Sequence, residues 1–396
     1  MKKKMLFILS NDNIGGPQKS LLALLDKIDY SRFNVDLYII NSGGHLNQFF
    51  NDKVNIIKSN PLNLAYTLPS TRVLKHLTCM IANGNFSAAK DYIFSIIKNK
   101  ILNKNMNYER QAFWKKHNKE LLKLEGQYDI AFGILGTSTY MVVDLVDSVK
   151  KYHWVRSDSR ILQRNQEIEA EYFERLNGSL SVSNECTNVF VEMYPFMQDK
   201  TYTFLNHIPT GFYEKLEHDS ELMRKDNESQ INILTVTRLD PLKGIEMAID
   251  ACERLVKKKY NIKWYVLGGG KFKKEIEKMI EEKQLNNHFI LLGFQLNTLS
   301  FIKQCDVFVH PSRTEGKSNA VDEAKYVGKP IVVTNYDTVR DQINHNETGL
   351  ICNMSGESIA ASVEKLLLND ALSNQLSINC EGRLDGSEVN NFLWSL

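Results

Sequence analysis

Val307-Phe308-Val309-His310-Pro311-Ser312-Arg313-Thr314-Glu315-Gly316-Lys317-Ser318-Asn319-Ala320-Val321-Asp322-Glu323-Ala324 begins as a short apolar run and passes through a polar loop holding Pro311 and Gly316. It then enters a segment with helical spacing, residues 319–327. A short apolar run bounded by turn residues reads as a strand buried on both faces, the habit of parallel sheets. Loops leaving the carboxyl ends of such strands are where open α/β sheets bind ligands. A loop that opens a helix also offers free backbone N–H groups at the positive end of the helix dipole, suited to phosphate. Glu315 lies in that loop and Glu323 on the following helix, eight positions apart. A carboxylate accepts two hydrogen bonds and so suits a vicinal diol of ribose or hexose. Two glutamates at this spacing also occur as ordinary solvated acids; their setting between strand and helix is what singles them out.

Outward from this stretch, strands alternate with helices. Strands are predicted at 231–237, 263–267, 289–292, 307–310, 330–334 and around Gly349-Leu350-Ile351; helices at 245–256, 272–283, 299–304, 319–327, 338–343 and 359–368. This is a six-strand, doubly wound α/β domain. Thr235-Val236-Thr237-Arg238-Leu239-Asp240-Pro241-Leu242-Lys243-Gly244 ends the first of these strands. Asp240-Pro241 marks a turn. Arg238 and Lys243 bracket it, where two cations can neutralise a diphosphate as a divalent ion does elsewhere. As plain surface cations near a helix start they would sit slightly unfavourably with the dipole.

The first half opens the same way, with a strand at 5–10, a loop at 11–19 holding Gly15-Gly16-Pro17, a helix at 20–28 and strands at 35–40 and 54–57. Residues 60–125 read instead as basic, mostly helical sequence, before strands at 129–135, 153–155, 180–182 and 202–205. Residues 206–229, with Pro209, Gly211 and many charges, read as a linker containing a short helix, and the domain boundary falls there.

The composition excludes several classes. Apolar residues at 43% and charged residues at 24% belong to an ordinary globular protein, and 396 residues suffice for two large domains. The six cysteines are scattered, with no C-x-x-C pair or zinc spacing, and read as buried thiols. The net charge of +2 hides an asymmetry: 26 Lys and Arg against 20 Asp and Glu in residues 1–210, and 23 against 27 in residues 211–396. Residues 85–126 carry nine basic and four acidic side chains, too small an excess for nucleic acid but compatible with an anionic membrane surface or acceptor. Phe86, Tyr92, Phe94, Tyr108, Phe113 and Trp114 among those lysines suit either membrane docking or a helical core face. The lysines at positions 2–4 precede an apolar run too short for a signal peptide, and no stretch approaches a membrane span.

Arg238-Leu-x-x-x-Lys243-Gly followed by Glu315-Gly-x-x-Asn-x-x-x-Glu323-Ala resembles the family-4 glycosyltransferases of the GT-B fold, over roughly residues 230–370. The downstream Lys-Pro-Ile-Val-Val-Thr-Asn is similar to bacterial members that build surface polysaccharides. The resemblance implies two Rossmann-like doubly wound domains facing a central cleft. Residues 1–208 would bind the acceptor and residues 209–380 the nucleotide-sugar donor, with 381–396 packing back on the first domain. It also implies retaining, metal-independent transfer of a hexose or N-acetylhexosamine, with a UDP-sugar favoured as co-substrate and no cofactor. The acceptor would be a glycan or lipid-linked oligosaccharide, and the enzyme would be cytoplasmic, peripheral on the inner membrane face.

The implied catalytic residues are Glu315, Arg238, Lys243 and Asp158. Gly15, Gly16, Arg156, Gly316, Lys317, Ser318 and Asn319 would bind substrate; Arg238, Lys243, Gly269, Phe294 and Glu323 would bind the nucleotide. Trp154-Val155-Arg156-Ser157-Asp158 resembles a stretch in which relatives often carry His where this chain has Arg156. Arginine is no base near neutral pH, although it can bind an anionic acceptor; a strand-end charge pair explains Arg156 and Asp158 equally well. A tight turn likewise explains Gly15-Gly16. His153, His207 and His310 read as structural. The alternative function is a non-catalytic, nucleotide-sugar-binding partner of another transferase.

Overall fold

The computed structural model describes residues 2–44, 46–68, 72–102, 105–216, 223–380 and 387–396. The chain divides into two compact units, Met1–Leu205 with Gly386–Leu396, and Asn206–Asp385. Residues 381–386 of the C-terminal segment lie outside the described residues.

The first unit is built on seven parallel strands: β1 (Lys3–Asn11), β2 (Phe33–Asn41), β3 (Val54–Lys58), β4 (Gln127–Ile134), β5 (Asp147–Val155), β6 (Gly178–Ser181) and β7 (Thr201–Thr203), in the order β3-β2-β1-β4-β5-β6-β7. The central β1 is buried on both faces from Met5 to Leu9, which is why it reads as an unbroken apolar run. Phe7 of β1 stacks on Phe132 of β4 with ring centroids 4.8 Å apart. Between β3 and β4 the chain makes the helices Pro61–Ala65, Val73–Ala82, Phe86–Leu102 and Met106–His117.

Three local features differ from the sequence reading. The first long helix is Gly16–Lys27 and starts four residues early, because Pro17 sits in its first turn, where a missing N–H costs nothing and the fixed φ is already helical. β5 starts at Asp147; its first half is polar, so only residues 153–155 carry the apolar signal. A helix, Thr137–Leu145, was not read between β4 and β5; nearly all of it is buried, which removes the amphipathic stripe that announces a helix.

The C-terminal helix Ser387–Ser395 packs on the first unit. Asn390 accepts from the Asp29 N–H at 2.8 Å and donates to the Lys27 carbonyl at 2.8 Å. Phe392 stacks on Phe204 at 5.2 Å, and Lys3 Nζ donates to the Trp394 carbonyl.

The second unit has six parallel strands: β8 (Ile231–Val236), β9 (Ile262–Leu267), β10 (Phe289–Gly293), β11 (Val307–His310), β12 (Ile331–Thr334) and β13 (Leu350–Cys352), in the order β10-β9-β8-β11-β12-β13. Winding runs outward from β8 in one direction and from β11 in the other. The neighbouring β8 and β11 therefore mark the switch point, and the crevice outside their carboxyl ends is where such sheets bind ligands. The helix Ile245–Lys257 buries Ile245, Ala248, Ile249, Cys252 and Leu255 against this sheet, one face at helical spacing.

Candidate active site

Both motif loops leave this switch point, and tight packing holds them together. Gly244 has φ +63, and a Cβ there would stand 2.1 Å from the Pro311 carbonyl oxygen, so glycine is required both by conformation and by contact. The Arg313 N–H donates to the Leu242 carbonyl at 2.9 Å, and Ser312 Oγ to the same oxygen at 3.3 Å. Gly268 performs the same service beneath the Arg238 loop: its φ is +142, and a Cβ would meet the Thr237 carbonyl oxygen at 1.8 Å.

The chemical centre is a three-member cluster. Lys243 Nζ lies 2.7 Å from Glu315 Oε1 and 3.4 Å from the Thr314 carbonyl. His310 Nε2 is 2.9 Å from the same Glu315 oxygen. Thr338 Oγ1 donates to the Glu315 carbonyl at 3.1 Å and fixes the loop from the far side. Lys243 and Glu315 are both nearly buried. Burial alone would raise the Glu315 carboxyl, but the His310 hydrogen bond and the Lys243 charge overcome it and hold its pKa at about 2. Glu315 is thus an anion at every physiological pH: it can accept hydrogen bonds from sugar hydroxyls or offset positive charge, and it has no proton to give. Arg238, on the same strand end, is exposed.

A depressed carboxyl pKa stabilises the folded state above the unfolded value, and that contribution vanishes as pH falls through the folded one. The second unit should therefore lose on the order of 3 kcal/mol between about pH 4.5 and pH 2 through Glu315. Glu315→Gln should flatten the slope of unfolding free energy with pH in that window. An identical slope in the variant and the parent would show that the cluster does not hold the carboxylate down.

Glu323 is 1% exposed, and both of its oxygens are engaged: Tyr213 Oη donates to Oε1 at 2.5 Å and Thr298 Oγ1 to Oε2 at 2.8 Å. Burial and the facing carboxylate push the Tyr213 hydroxyl well above its ordinary pKa, so it stays a donor. Lys317 points inward, where its ammonium pairs with Asp322 Oδ2 at 2.8 Å, the two side chains being 5% and 8% exposed. Gln342 ties the pair to the loop: its Nε2 donates to Asp322 Oδ1 and to the Ser318 carbonyl, each at 2.9 Å, and its Oε1 accepts the Ser318 N–H at 2.8 Å. Ser318 caps the helix that follows, and Asn319 Oδ1 accepts from Asn206 Nδ2 at 2.9 Å. The Gly316 backbone is buried. Gly269, unlike Gly268, has open space where a Cβ would stand, and Phe294 is exposed.

In the first unit, Arg156 reaches the glycine pair. Its Nη2 lies 2.5 Å from Ser20 Oγ and 3.4 Å from the Gly16 carbonyl, and its guanidinium stands 5.0 Å over the Trp154 ring. Burial lowers its pKa to about 9, which leaves it cationic at neutral pH. Gly15 caps the Gly16–Lys27 helix without a side chain. Asp158 is committed to the protein: it caps the turn Ser159–Leu162 through the Arg160 N–H at 2.9 Å and holds the Arg160 guanidinium at 2.7 Å.

Sequence reasoning missed His310 as a partner of Glu315; its place at the end of a buried strand, five residues before the glutamate, was the available signal. Tyr213, Thr298, Gln342 and Thr338 were missed because they come from segments distant in sequence. Among the described residues, no three His, Cys, Asp or Glu side chains are grouped to hold a metal ion, and no helix is long and apolar enough to cross a membrane.

Residues 219–383 match the family model described as Glycosyl transferases group 1. The capsular polysaccharide biosynthesis glycosyltransferase CapM of Staphylococcus aureus is 27% identical over 192 residues, 46% of this chain and 50% of that protein. The poly(ribitol-phosphate) alpha-N-acetylglucosaminyltransferase of the same species (strain COL) is 30% identical over 140 residues, 35% of this chain and 28% of that protein. The chain thus spans half or less of the length of these curated relatives. The crystal structure of Anabaena Alr3699/HepE in complex with UDP superposes with a TM-score of 0.69 at 14% identity, covering 100% of this chain and 99% of that one. At that identity the likeness speaks for the fold: two Rossmann-like units of the GT-B type.

Proposed function

We propose that this chain is a family-4 glycosyltransferase of bacterial surface-polysaccharide biosynthesis. It moves a hexose or N-acetylhexosamine, with retention and without a metal ion, from a nucleotide-diphosphate sugar to a glycan or lipid-linked oligosaccharide. The observation that carries this reading is the Lys243–Glu315–His310 cluster at the switch point of the second unit, beside the exposed Arg238. The group 1 family match covers the same region, and UDP in the HepE structure favours a UDP-sugar as donor.

In this proposal Arg238 and Lys243 hold the donor diphosphate. Lys243 turns from Glu315 toward phosphate as the donor enters, and Glu315 is left to accept from the sugar hydroxyls. The backbone from Gly316 to Asn319 meets the sugar and the distal phosphate, with Lys317 fixing the loop from inside. Gly269 and Phe294 border the base. Glu323 reads the ribose, for which one of its two hydroxyl partners must yield. In the first unit, Gly15, Gly16 and Arg156 meet the acceptor, and Asp158 positions the Arg156 loop.

The bond from the anomeric carbon to the phosphate oxygen breaks, and its electron pair leaves with the nucleotide diphosphate. Arg238, Lys243 and loop N–H groups stabilise that charge. The acceptor oxygen bonds to the anomeric carbon on the same face, and its proton passes to the departing phosphate oxygen.

The test is a thermal-shift screen against UDP, GDP, ADP and CMP and their sugar conjugates, followed by product analysis with EDTA present. Saturation at about a hundredfold over Kd should stabilise the second unit by about 2.7 kcal/mol, a rise of roughly 5–10 °C, with one diphosphate and not the others. Arg238→Ala should abolish the rise. A flat response to every nucleotide sinks the donor site, and transfer that strictly needs manganese sinks the metal-free mechanism.

A further inference from the structure

We propose that Tyr213 and Thr298 set how much a nucleotide's ribose diol contributes to binding, by occupying Glu323 as an internal imitation of that diol. The inference rests on the reading of Glu323 as the carboxylate that meets the ribose. Three segments far apart in sequence build the arrangement. Tyr213 comes from the short helix Thr210–Glu214, Thr298 opens the helix Thr298–Gln304 behind its cap Asn297, and Glu323 lies on the helix Asn319–Tyr326. All three residues are withdrawn from water, at 4%, 5% and 1% exposure. Their oxygens close a triangle. Tyr213 Oη lies 2.5 Å from Glu323 Oε1, Thr298 Oγ1 lies 2.8 Å from Glu323 Oε2, and the two hydroxyl oxygens are 3.0 Å apart. Two close hydroxyls facing the two oxygens of one carboxylate are what a vicinal diol would present there.

Counting protons shows why the triangle is poised. Each hydroxyl carries one proton, and an ionised carboxylate only accepts. Two protons cannot serve three contacts. With both given to Glu323, the Tyr213 and Thr298 oxygens face each other with no hydrogen between them. With one turned to the other hydroxyl, a carboxylate oxygen loses a donor in a site closed to water. One contact is thus always unmet, and opening the triangle costs less than breaking a hydrogen bond that stands alone. A ribose brings two neighbouring hydroxyls with a proton on each. Exchanging a protein hydroxyl for a ribose hydroxyl conserves the hydrogen bonds to Glu323, so the diol adds only the difference between the two. A nucleotide without the diol leaves the triangle closed and strands no charge. The pair therefore restrains what the ribose contributes, and it spares the protein a bare buried carboxylate before a nucleotide arrives.

The test is calorimetric titration of the full chain with UDP, GDP and ADP and with their 2′,3′-dideoxy analogues, with Glu323→Gln as the control for the ribose reading. Tyr213→Phe keeps the buried ring and removes the hydroxyl; Thr298→Val does the same for the threonine with little change of shape. For the nucleotide that the parent binds, either substitution should tighten binding about tenfold, since the ribose then meets a carboxylate oxygen released by its protein donor. Affinity for the dideoxy analogue should stay at the parental value. Thr298→Val leaves Tyr213 in place and answers the same question should the tyrosine variant fail to fold. Unchanged or weaker binding in both variants, with Glu323→Gln still binding less tightly than the parent, overturns the inference alone. So does equal tightening toward the dideoxy analogue, which would mean a loosened pocket rather than a released carboxylate. A parent that binds none of the three nucleotides, or a Glu323→Gln chain that binds as the parent does, overturns the ribose reading and the inference with it.

Discussion

Lys243→Ala should reduce turnover by on the order of 10²–10³-fold, the usual consequence of removing one preorganised charge from a site where negative charge develops. The residue is nearly buried, so its ammonium acts through a less screened medium than a surface lysine does. The substitution also leaves Glu315, 2.7 Å away in the parent, without its cation. The loop should then repel an incoming diphosphate as well as fail to attract it, so nucleotide affinity should fall together with kcat. Lys243→Arg is a sharper probe. It keeps the charge but replaces a compact ammonium beside Glu315 and the Thr314 carbonyl with a larger planar guanidinium of different donor geometry. Intermediate activity would support the diphosphate role. A Lys243→Ala enzyme with near-parental kcat and nucleotide affinity would remove Lys243 from the mechanism.

Lys317→Met should lower the stability of the second unit by about 3–5 kcal/mol, and its melting temperature by about 10 °C. Breaking a buried ion pair strands the remaining charge away from water. Asp322 would keep the Gln342 amide as a donor and lose its cation. Combining Lys317→Met with Asp322→Asn should restore most of the loss, because the stranded charge is then gone. Urea unfolding of the parent, the two single variants and the double variant measures the coupling. A single variant as stable as the parent, or a double variant no better than the single, would mean that water reaches the pair and that it does not organise the 315–319 loop.

The second unit was the more legible half. Its six strands are short, predominantly apolar segments, and its long helix, Ile245–Lys257, carries one clean apolar face, so the two sequence periods separate well. The first unit was harder: the buried Thr137–Leu145 helix lacks a polar side, and the first half of β5 carries Lys150 and Lys151, whose amines are used by carbonyls of Leu396 and Val143. In the site, the strand–loop–helix segments bearing Arg238, Lys243, Glu315 and Glu323 were legible from local pattern, because strand, loop and helix follow one another in sequence. The partners within it were not. Lys243 and Glu315 meet only because β8 and β11 are neighbours, and Glu323 is held by Tyr213, from a stretch whose charges and proline read as a linker. Lys317 looked like a ligand-facing cation for the same reason: Asp322 is five residues away in sequence, and only the bend between loop and helix turns the two side chains toward each other.

The helix Ser387–Ser395 docks on a unit whose other residues end at Leu205, so the second unit is spliced into the first along the chain. On the ribosome, the seven-stranded sheet emerges long before the helix that seals Phe33 and Phe204, and the whole second unit must be translated in between. A nascent first unit therefore waits with that apolar seam uncovered. Its completion is a late, long-range closure joining Lys3 to Trp394 across 391 positions. Early termination or proteolytic trimming near the end of the chain would thus injure the half of the protein that was synthesised first.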